Sequence, residues 1–438
     1  MSEAVLEIPW GASKLGLHLP PEWDLLGVME PASGTPPVEA GEAAARALAA
    51  PIGLPRLSQM VSSGMRIALV IDDESRPTPI ARLLPPLLQE LRRGGVQESQ
   101  ITLVLALGVH EPMSAAAVAR RVGPDVIASL RWENHDCDSR EGLVFLGTTR
   151  RGTSVLINRT VAQADLVILV GCIEPHIIAG FGGGTKNLVP GVAGRTTIAH
   201  NHSLNCRPDT FNSVGQPLEA NPMRMDLEEA ASMVQAPVVI LNAVLNSALQ
   251  VVQVVCGHPQ QAHRQGMQTS ARIYGAAVPA LADVVITSSH PMDSDLRQGV
   301  KALANTIRAL KPGGVIITLI RAESGVGVFG LANRRLPVGQ RALRVLAPLL
   351  LPLVPRLPLA GMGEEDRFFL YFALQAMRRG DLLVYAPTIP AATQGNLPFV
   401  TFVSSLEAGL ERAQTRFPNR ASLLVFPHGG STFPILPA

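Results

Sequence analysis

The chain has 438 residues, 47% hydrophobic and 16% charged, with a formal net charge of +2. This length predicts two domains, and this balance a core-forming globular protein rather than a disordered one. The small charge, without a long basic run, excludes a nucleic-acid footprint, and four scattered cysteines with no CxxC pair speak against a disulfide framework or a structural zinc site.

The N-terminal residues show no signal peptide. The greasiest stretch, residues 346–359, is broken by Pro348, Pro352, Pro355 and Arg356 and is too interrupted to span a bilayer. A soluble cytoplasmic protein without a membrane partner is expected. Residues 1–60 predict a short β start and an Ala-rich helix near 37–50. Apolar runs at 66–71, 101–107, 166–170, 238–241, 284–287, 315–319, 382–384 and 423–426 then alternate with helical patterns at 80–93, 114–122, 222–233, 260–274, 295–310 and 365–379. Short apolar runs between helices predict mainly parallel sheets, hence an α/β fold of two domains. A boundary near 258–280 divides the chain into residues 1–265 and 266–438, with a tail that the sequence lets return to the first domain.

Polar residues collect where these strands end. The run 66–71 empties into Asp72-Asp73-Glu-Ser-Arg76-Pro-Thr78, and 101–107 into Gly108-Val-His110. The run 166–170 leads to Glu174-Pro-His176, then Gly180-Phe-Gly182-Gly183-Gly184-Thr185-Lys186. Open α/β sheets bind ligands outside the carboxyl ends of their strands, so one edge gathers these groups. The glycines permit close backbone approach and aim N–H groups at an anion, and the lysine is a point charge or an amine nucleophile. Lys186-Asn187 fails the Walker A pattern, and Thr185 stands where a dinucleotide fingerprint needs its last glycine. Downstream, His200 and His202 lie two apart, so on a helix at most one points into a shared site. Gln298 and Lys301 are three apart on one helix face, either as a solvated pair or as a carboxylate-binding pair. The run His135-Asp136-Cys137-Asp138 has no partner at ligand spacing and reads as a polar loop.

Together these residues resemble the nickel-pincer lactate racemase family. The likeness runs in order from about residue 66 to 304. It rests on Asp73-x-x-Arg76-Pro-Thr-Pro, Gly108-x-His110, Glu174-Pro-His176 through Lys186 to Pro190-Gly191, Asn201-His202 and Gln298-x-x-Lys301. The resemblance implies a nickel-pincer nucleotide joined covalently to Lys186, with His202 as nickel ligand and His110 and His176 as acid/base catalysts. It implies that Asp73, Arg76, Gln298 and Lys301 bind substrate or orient the catalysts, and that the N–H groups of the loop Gly182-Gly183-Gly184-Thr185 contact the cofactor phosphate. Departures at Glu111, Phe181-Gly182, Ser289-His290 and Arg297 lie in the shell that faces substrate.

The expected activity is therefore racemisation or epimerisation of a small 2-hydroxy carboxylic acid. A hydride leaves to the cofactor while a histidine takes the hydroxyl proton, which avoids a carbanion beside a carboxylate. The site is expected in a cleft between the two domains. Expected partners are the enzymes that make the cofactor, without which an apo form results, and the sequence leaves room for a homo-oligomer. Two other classes stay open: a zinc-type lyase or hydrolase using the same histidines, and a non-catalytic protein that binds a nucleotide-like ligand.

Overall fold

The computed structural model describes residues 6–32, 35–206, 214–327, 329–336, 338–355 and 364–437. The chain forms two compact units. Residues 34–204 and 217–273 make the N-terminal unit, and residues 1–33, 205–216 and 274–438 the C-terminal unit.

The N-terminal unit is built on a six-stranded sheet. Its order is Val251–Gly257, Val238–Leu245, Leu166–Ile173, Ile67–Asp72, Ile101–Ala106 and Arg131–Asn134. All neighbours pair in parallel except Val251–Gly257, an antiparallel edge strand. Ile67–Asp72 and Leu166–Ile173 are buried along their whole length. A strand covered on both faces selects apolar residues at every position, so it reads as a continuous run instead of an alternation. Helix Ile80–Arg93 covers one face with Ile80, Leu83, Leu84, Leu87, Leu88 and Leu91, the i, i+3, i+4, i+7 stripe of a core-facing helix.

The C-terminal unit holds a second six-stranded sheet, in the order Thr401–Phe402, Gly380–Tyr385, Leu310–Leu319, Ala282–Ser288, Ser422–Phe426 and Asp24–Val28. Every neighbouring pair is parallel. Val284, Ile286, Val315, Ile317, Leu383, Leu423 and Val425 pack on Leu406, Leu410 and Ala413 of helix Leu406–Arg416.

The division at 265/266 put the first 33 residues with the N-terminal domain. In the structure they belong to the C-terminal unit, because Asp24–Val28 pairs with Ser422–Phe426 and Ile8, Leu17 and Trp23 join that core. The tail also stays there: Phe433–Ile435 pairs in parallel with Gly275–Ala277. The apolar stretch at 346–359 begins inside helix Gln340–Leu350, while residues 356–359 lie outside the described residues. Among the described residues no helix is long and apolar enough to cross a membrane.

Candidate active site

In the N-terminal sheet the chain moves one way from Ile67–Asp72, to Ile101–Ala106 and then Arg131–Asn134. It next places Leu166–Ile173 on the other side of Ile67–Asp72. The crevice outside the carboxyl ends of two strands at such a switch point is the usual ligand site of an open α/β sheet. The loops leaving these two strands carry Asp73 and Arg76 on one, Glu174 and His176 on the other.

Asp73 and His110 are brought together. Nδ1 of His110 donates to Asp73 Oδ2 at 2.5 Å, and Asp73 Oδ1 accepts from the Ser75 amide at 3.1 Å and its hydroxyl at 2.5 Å. Burial opposes ionisation of Asp73, but the hydrogen bonds from His110 and Ser75 outweigh it and hold the carboxyl below its usual range. A carboxylate only accepts, so the hydrogen sits on Nδ1 and the neutral ring of His110 carries its lone pair at Nε2, the form of a general base.

His176 is set the other way. Its Nδ1 accepts from the amides of Ile178 and Ala179, each at 3.2 Å, so its neutral ring bears the hydrogen at Nε2. It lies in a short antiparallel hairpin, with Pro175 opposite Phe181 and His176 opposite Gly180. Buried groups clamp this hairpin. Arg224, wholly inaccessible to solvent, donates to the carbonyls of Ala179 (3.3 Å) and Phe181, and Asn221 donates to that of Ile178 (2.8 Å). Burial pulls the Arg224 guanidinium down to about 10, against the pull of Glu228. Sequence reading gave these residues no role, although Asn221 caps, and Arg224 and Glu228 lie on, the helix Pro222–Ser232, whose other buried positions are mostly apolar. A polar stripe on a buried face was the available signal.

Arg76 donates to Glu174 Oε1 at 2.7 Å. Burial disfavours the guanidinium, but Glu174 outweighs this and raises its pKa. Glu174 thus occupies the group assigned to substrate binding. Beside them Asp72 accepts from Thr78 at 2.5 Å and pairs with Arg121; burial still pushes its carboxyl up to about 6.

Two amides of the glycine loop are taken up inside the protein. The amide of Gly182 bonds to the Glu174 carbonyl at 2.7 Å and that of Gly184 to Asn242 Oδ1 at 2.7 Å, so neither is aimed at an anion. The glycines serve close packing instead. Gly183 and Gly184 have positive φ, and a Cβ would lie 2.8 Å from Asn242, Cys172 and Ile173 at the first and 2.8 Å from His263 at the second. His263 in turn donates from Nε2 to the Gly182 carbonyl at 2.8 Å. The Thr185 hydroxyl is buried without a hydrogen-bond partner among the described residues, and Lys186 is buried in the turn Gly184–Asn187.

His200 and His202 lie on helix Arg195–Ser203 and have separate duties. His200 Nδ1 lies 2.7 Å from the Thr153 hydroxyl, which itself donates to buried Asp226. His202 Nδ1 donates to the Ile198 carbonyl at 2.9 Å, which leaves the neutral ring's lone pair at Nε2. Metal-binding histidines are held in this way. The 135–138 run is structural: His135 donates to the Ala193 carbonyl at 3.0 Å and Asp138 pairs with Arg195 at 2.6 Å. Gln298 and Lys301 stand in the C-terminal unit on helix Leu296–Thr306, whose N-terminus Asp295 caps through the Gln298 amide at 2.8 Å.

Known proteins place this arrangement. Residues 10–212 match the family model described as the lactate racemase N-terminal domain. The chain is 33% identical over 332 residues to a lactate racemase of Thermoanaerobacterium thermosaccharolyticum, covering 75% of this chain and 76% of that one. To a lactate racemase of Lactiplantibacillus plantarum it is 29% identical over 292 residues, 66% of this chain and 68% of the relative. The solved lactate racemase apoprotein from T. thermosaccharolyticum superposes with a TM-score of 0.84 at 28% identity, over 99% of this chain and 100% of that one. A Thermotoga maritima crystal structure shares the fold at a TM-score of 0.61 and 15% identity, over 92% and 99%. These relatives mark the chain as an isomerase of the racemase class. The chain belongs to the lactate racemase family.

Proposed function

We propose that this chain racemises or epimerises a lactate-like 2-hydroxy acid, with a nickel-pincer nucleotide joined to Lys186 as its resident cofactor. The observation that carries this reading is a pair of imidazoles in opposite tautomers, His110 and His176, one fixed by Asp73 and the other by two backbone amides. The curated relatives, both lactate racemases, support the substrate class.

The residues present fit the cofactor at three points: a buried amine at Lys186, an unpartnered buried hydroxyl at Thr185, and the Nε2 lone pair of His202. Gly182 and Gly184 fit it through close packing rather than through their amides. No group of three or more His, Cys, Asp or Glu able to hold a metal occurs among the described residues. A nickel ion would therefore rest on His202 and on donors of the cofactor itself, whereas a zinc hydrolase needs three protein donors together. When bound, the cofactor would supply hydride-transfer chemistry.

The chain's own groups do the rest. His110 Nε2 takes the substrate's hydroxyl proton, and Asp73 steadies the imidazolium that forms. His176 donates a hydrogen bond from Nε2–H to the substrate oxygen. Arg76 exchanges Glu174 for the substrate carboxylate, which a guanidinium binds in a bidentate fork; the resemblance implies that Gln298 and Lys301 bind substrate or orient the catalysts. Loading depends on the enzymes that build the cofactor, and a cytoplasmic location belongs to this reading.

The direct test offers enantiopure lactate and other 2-hydroxy acids to cofactor-loaded protein. Inversion of at least one is expected, and inversion of none would refute the reading. Asp73→Asn should lower kcat/KM by about 10²-fold, chiefly through kcat, because His110 loses its fixed tautomer. An unchanged kcat in that variant removes Asp73 from the mechanism.

A further inference from the structure

The apolar stretch that begins at Leu346 cannot span a bilayer, because prolines interrupt it. Its described part lies at the surface of the C-terminal unit. Helix Gln340–Leu350 packs against helix Glu364–Arg379. Leu343 and Ala347 of the first helix, with Leu351 and Val354 just beyond it, form a buried stripe. The opposite side is apolar as well: Val345 is 76% exposed, Leu349 67%, Leu353 43% and Leu346 38%. These are four of the nine large apolar side chains exposed among the described residues, so they make a patch. Single exposed leucines need no explanation, but a patch on one helix face does. A helix that is apolar all round is ordinarily covered all round.

The charge about this patch has one sign. Residues 324–355 carry Arg334, Arg335, Arg341 and Arg344 and no acidic residue. All four arginines are exposed, and Arg341 stands one turn before Val345. Arg344 also reaches a cavity of about 300 Å³, which two further guanidiniums line, Arg378 and Arg416. Asp381 is the one acidic group in the lining, and it accepts from Arg344 at 2.7 Å. Arg378 and Arg416 are thus left without an acidic partner among the described residues. Each stands in the last turn of a helix, Glu364–Arg379 or Leu406–Arg416, where a cation meets the helix dipole. The dipole explains the sign of each, but not why three guanidiniums open on one cavity with a single carboxylate. Guanidiniums grip phosphate oxygens in forks, so a phosphate suits the cavity.

We propose that this face of the C-terminal unit docks on an anionic phospholipid surface. Val345, Leu346, Leu349 and Leu353 enter the boundary of the acyl layer, and the cavity of Arg344, Arg378 and Arg416 takes a headgroup phosphate. A helix bound in this way lies in the plane of the membrane, so prolines that forbid a span do not forbid it. The expectation of no membrane partner concerned spanning alone. Charge selects the bilayer over a second copy of the chain. In a two-fold contact the arginines around the patch meet their own copies, whereas each arginine near an anionic bilayer adds attraction. The inference is independent of the racemase reading.

The test mixes full-length protein with vesicles of phosphatidylglycerol and phosphatidylcholine in equal parts, or of phosphatidylcholine alone, and measures the bound fraction by sedimentation. Affinity for the anionic vesicles should be at least about 10-fold higher, and it should fall as salt rises from roughly 0.1 to 0.5 M. Val345→Glu and Leu349→Glu change exposed side chains, so each should keep the wild-type Tm and lower vesicle affinity about 10-fold. Arg378→Glu and Arg416→Glu each reverse one charge and should lower it by about the same factor. Inorganic phosphate that binds in calorimetry, with no binding to vesicles, would mark a site for free phosphate and overturn the docking surface. So would a protein that ignores vesicles and sediments as a dimer that Leu349→Glu splits. Equal binding to both kinds of vesicle, binding to neither, or variants that bind like wild type also overturn it.

Discussion

His110→Ala and His176→Ala should each lower kcat/KM for racemisation by about 10³-fold, the contribution of one positioned acid/base group. Each loss should be the same for both enantiomers. Mirror-image substrates have equal free energies, so the equilibrium constant is unity and kcat/KM must match in the two directions for every variant and at every pH. The asymmetry of the site therefore shows in kcat and KM taken singly. His110 keeps its Asp73 bond when it takes a proton at Nε2. His176 already bears its hydrogen at Nε2, so a further proton would have to go to Nδ1 and displace the amides of Ile178 and Ala179. Steady-state assays from each pure enantiomer check both points; a variant within tenfold of wild type would strike that histidine from the mechanism.

Arg224→Ala should cost about 3–5 kcal/mol of stability, read as a fall in the urea midpoint at pH 7. The side chain is fully buried and holds two carbonyls of the segment bearing His176, at Ala179 and Phe181. Its removal leaves those carbonyls unpaired and opens a void the size of a guanidinium. Glu228 loses one cationic neighbour but keeps Arg264 at 2.7 Å, which limits the damage. Arg224→Lys should recover only part of the loss, because a single ammonium cannot reproduce the fork. An Arg224→Ala midpoint that implies less than about 1 kcal/mol would show that the hairpin does not depend on this clamp.

What could be read in the sequence follows from burial. Strands covered on both faces appear as apolar runs, so Ile67–Asp72 and Leu166–Ile173 were legible, and with them the edge where Asp73, His110 and His176 collect. Helix Ile80–Arg93 was legible at both ends from its apolar stripe. Asp24–Val28 was not: it is an exposed-to-half-buried edge strand whose partner, Ser422–Phe426, lies almost four hundred residues away in sequence. No local pattern reports such a pairing, and the first 33 residues were assigned to the wrong unit for that reason. The glycine loop is ambiguous for a different cause. Glycines that admit a ligand and glycines that admit Asn242 and His263 look alike in sequence, and only packing separates them. The Asp73–His110 bond, the Arg76–Glu174 pair and the tautomers of both histidines are likewise products of three-dimensional contact.

The central claim is that Lys186 anchors the cofactor with which His110 and His176 work. Intact-protein mass spectrometry after co-expression with the cofactor-making enzymes tests it most directly. The account predicts a mass increase on the wild-type chain that disappears in Lys186→Ala together with racemisation; an unmodified chain that still inverts a 2-hydroxy acid would contradict it.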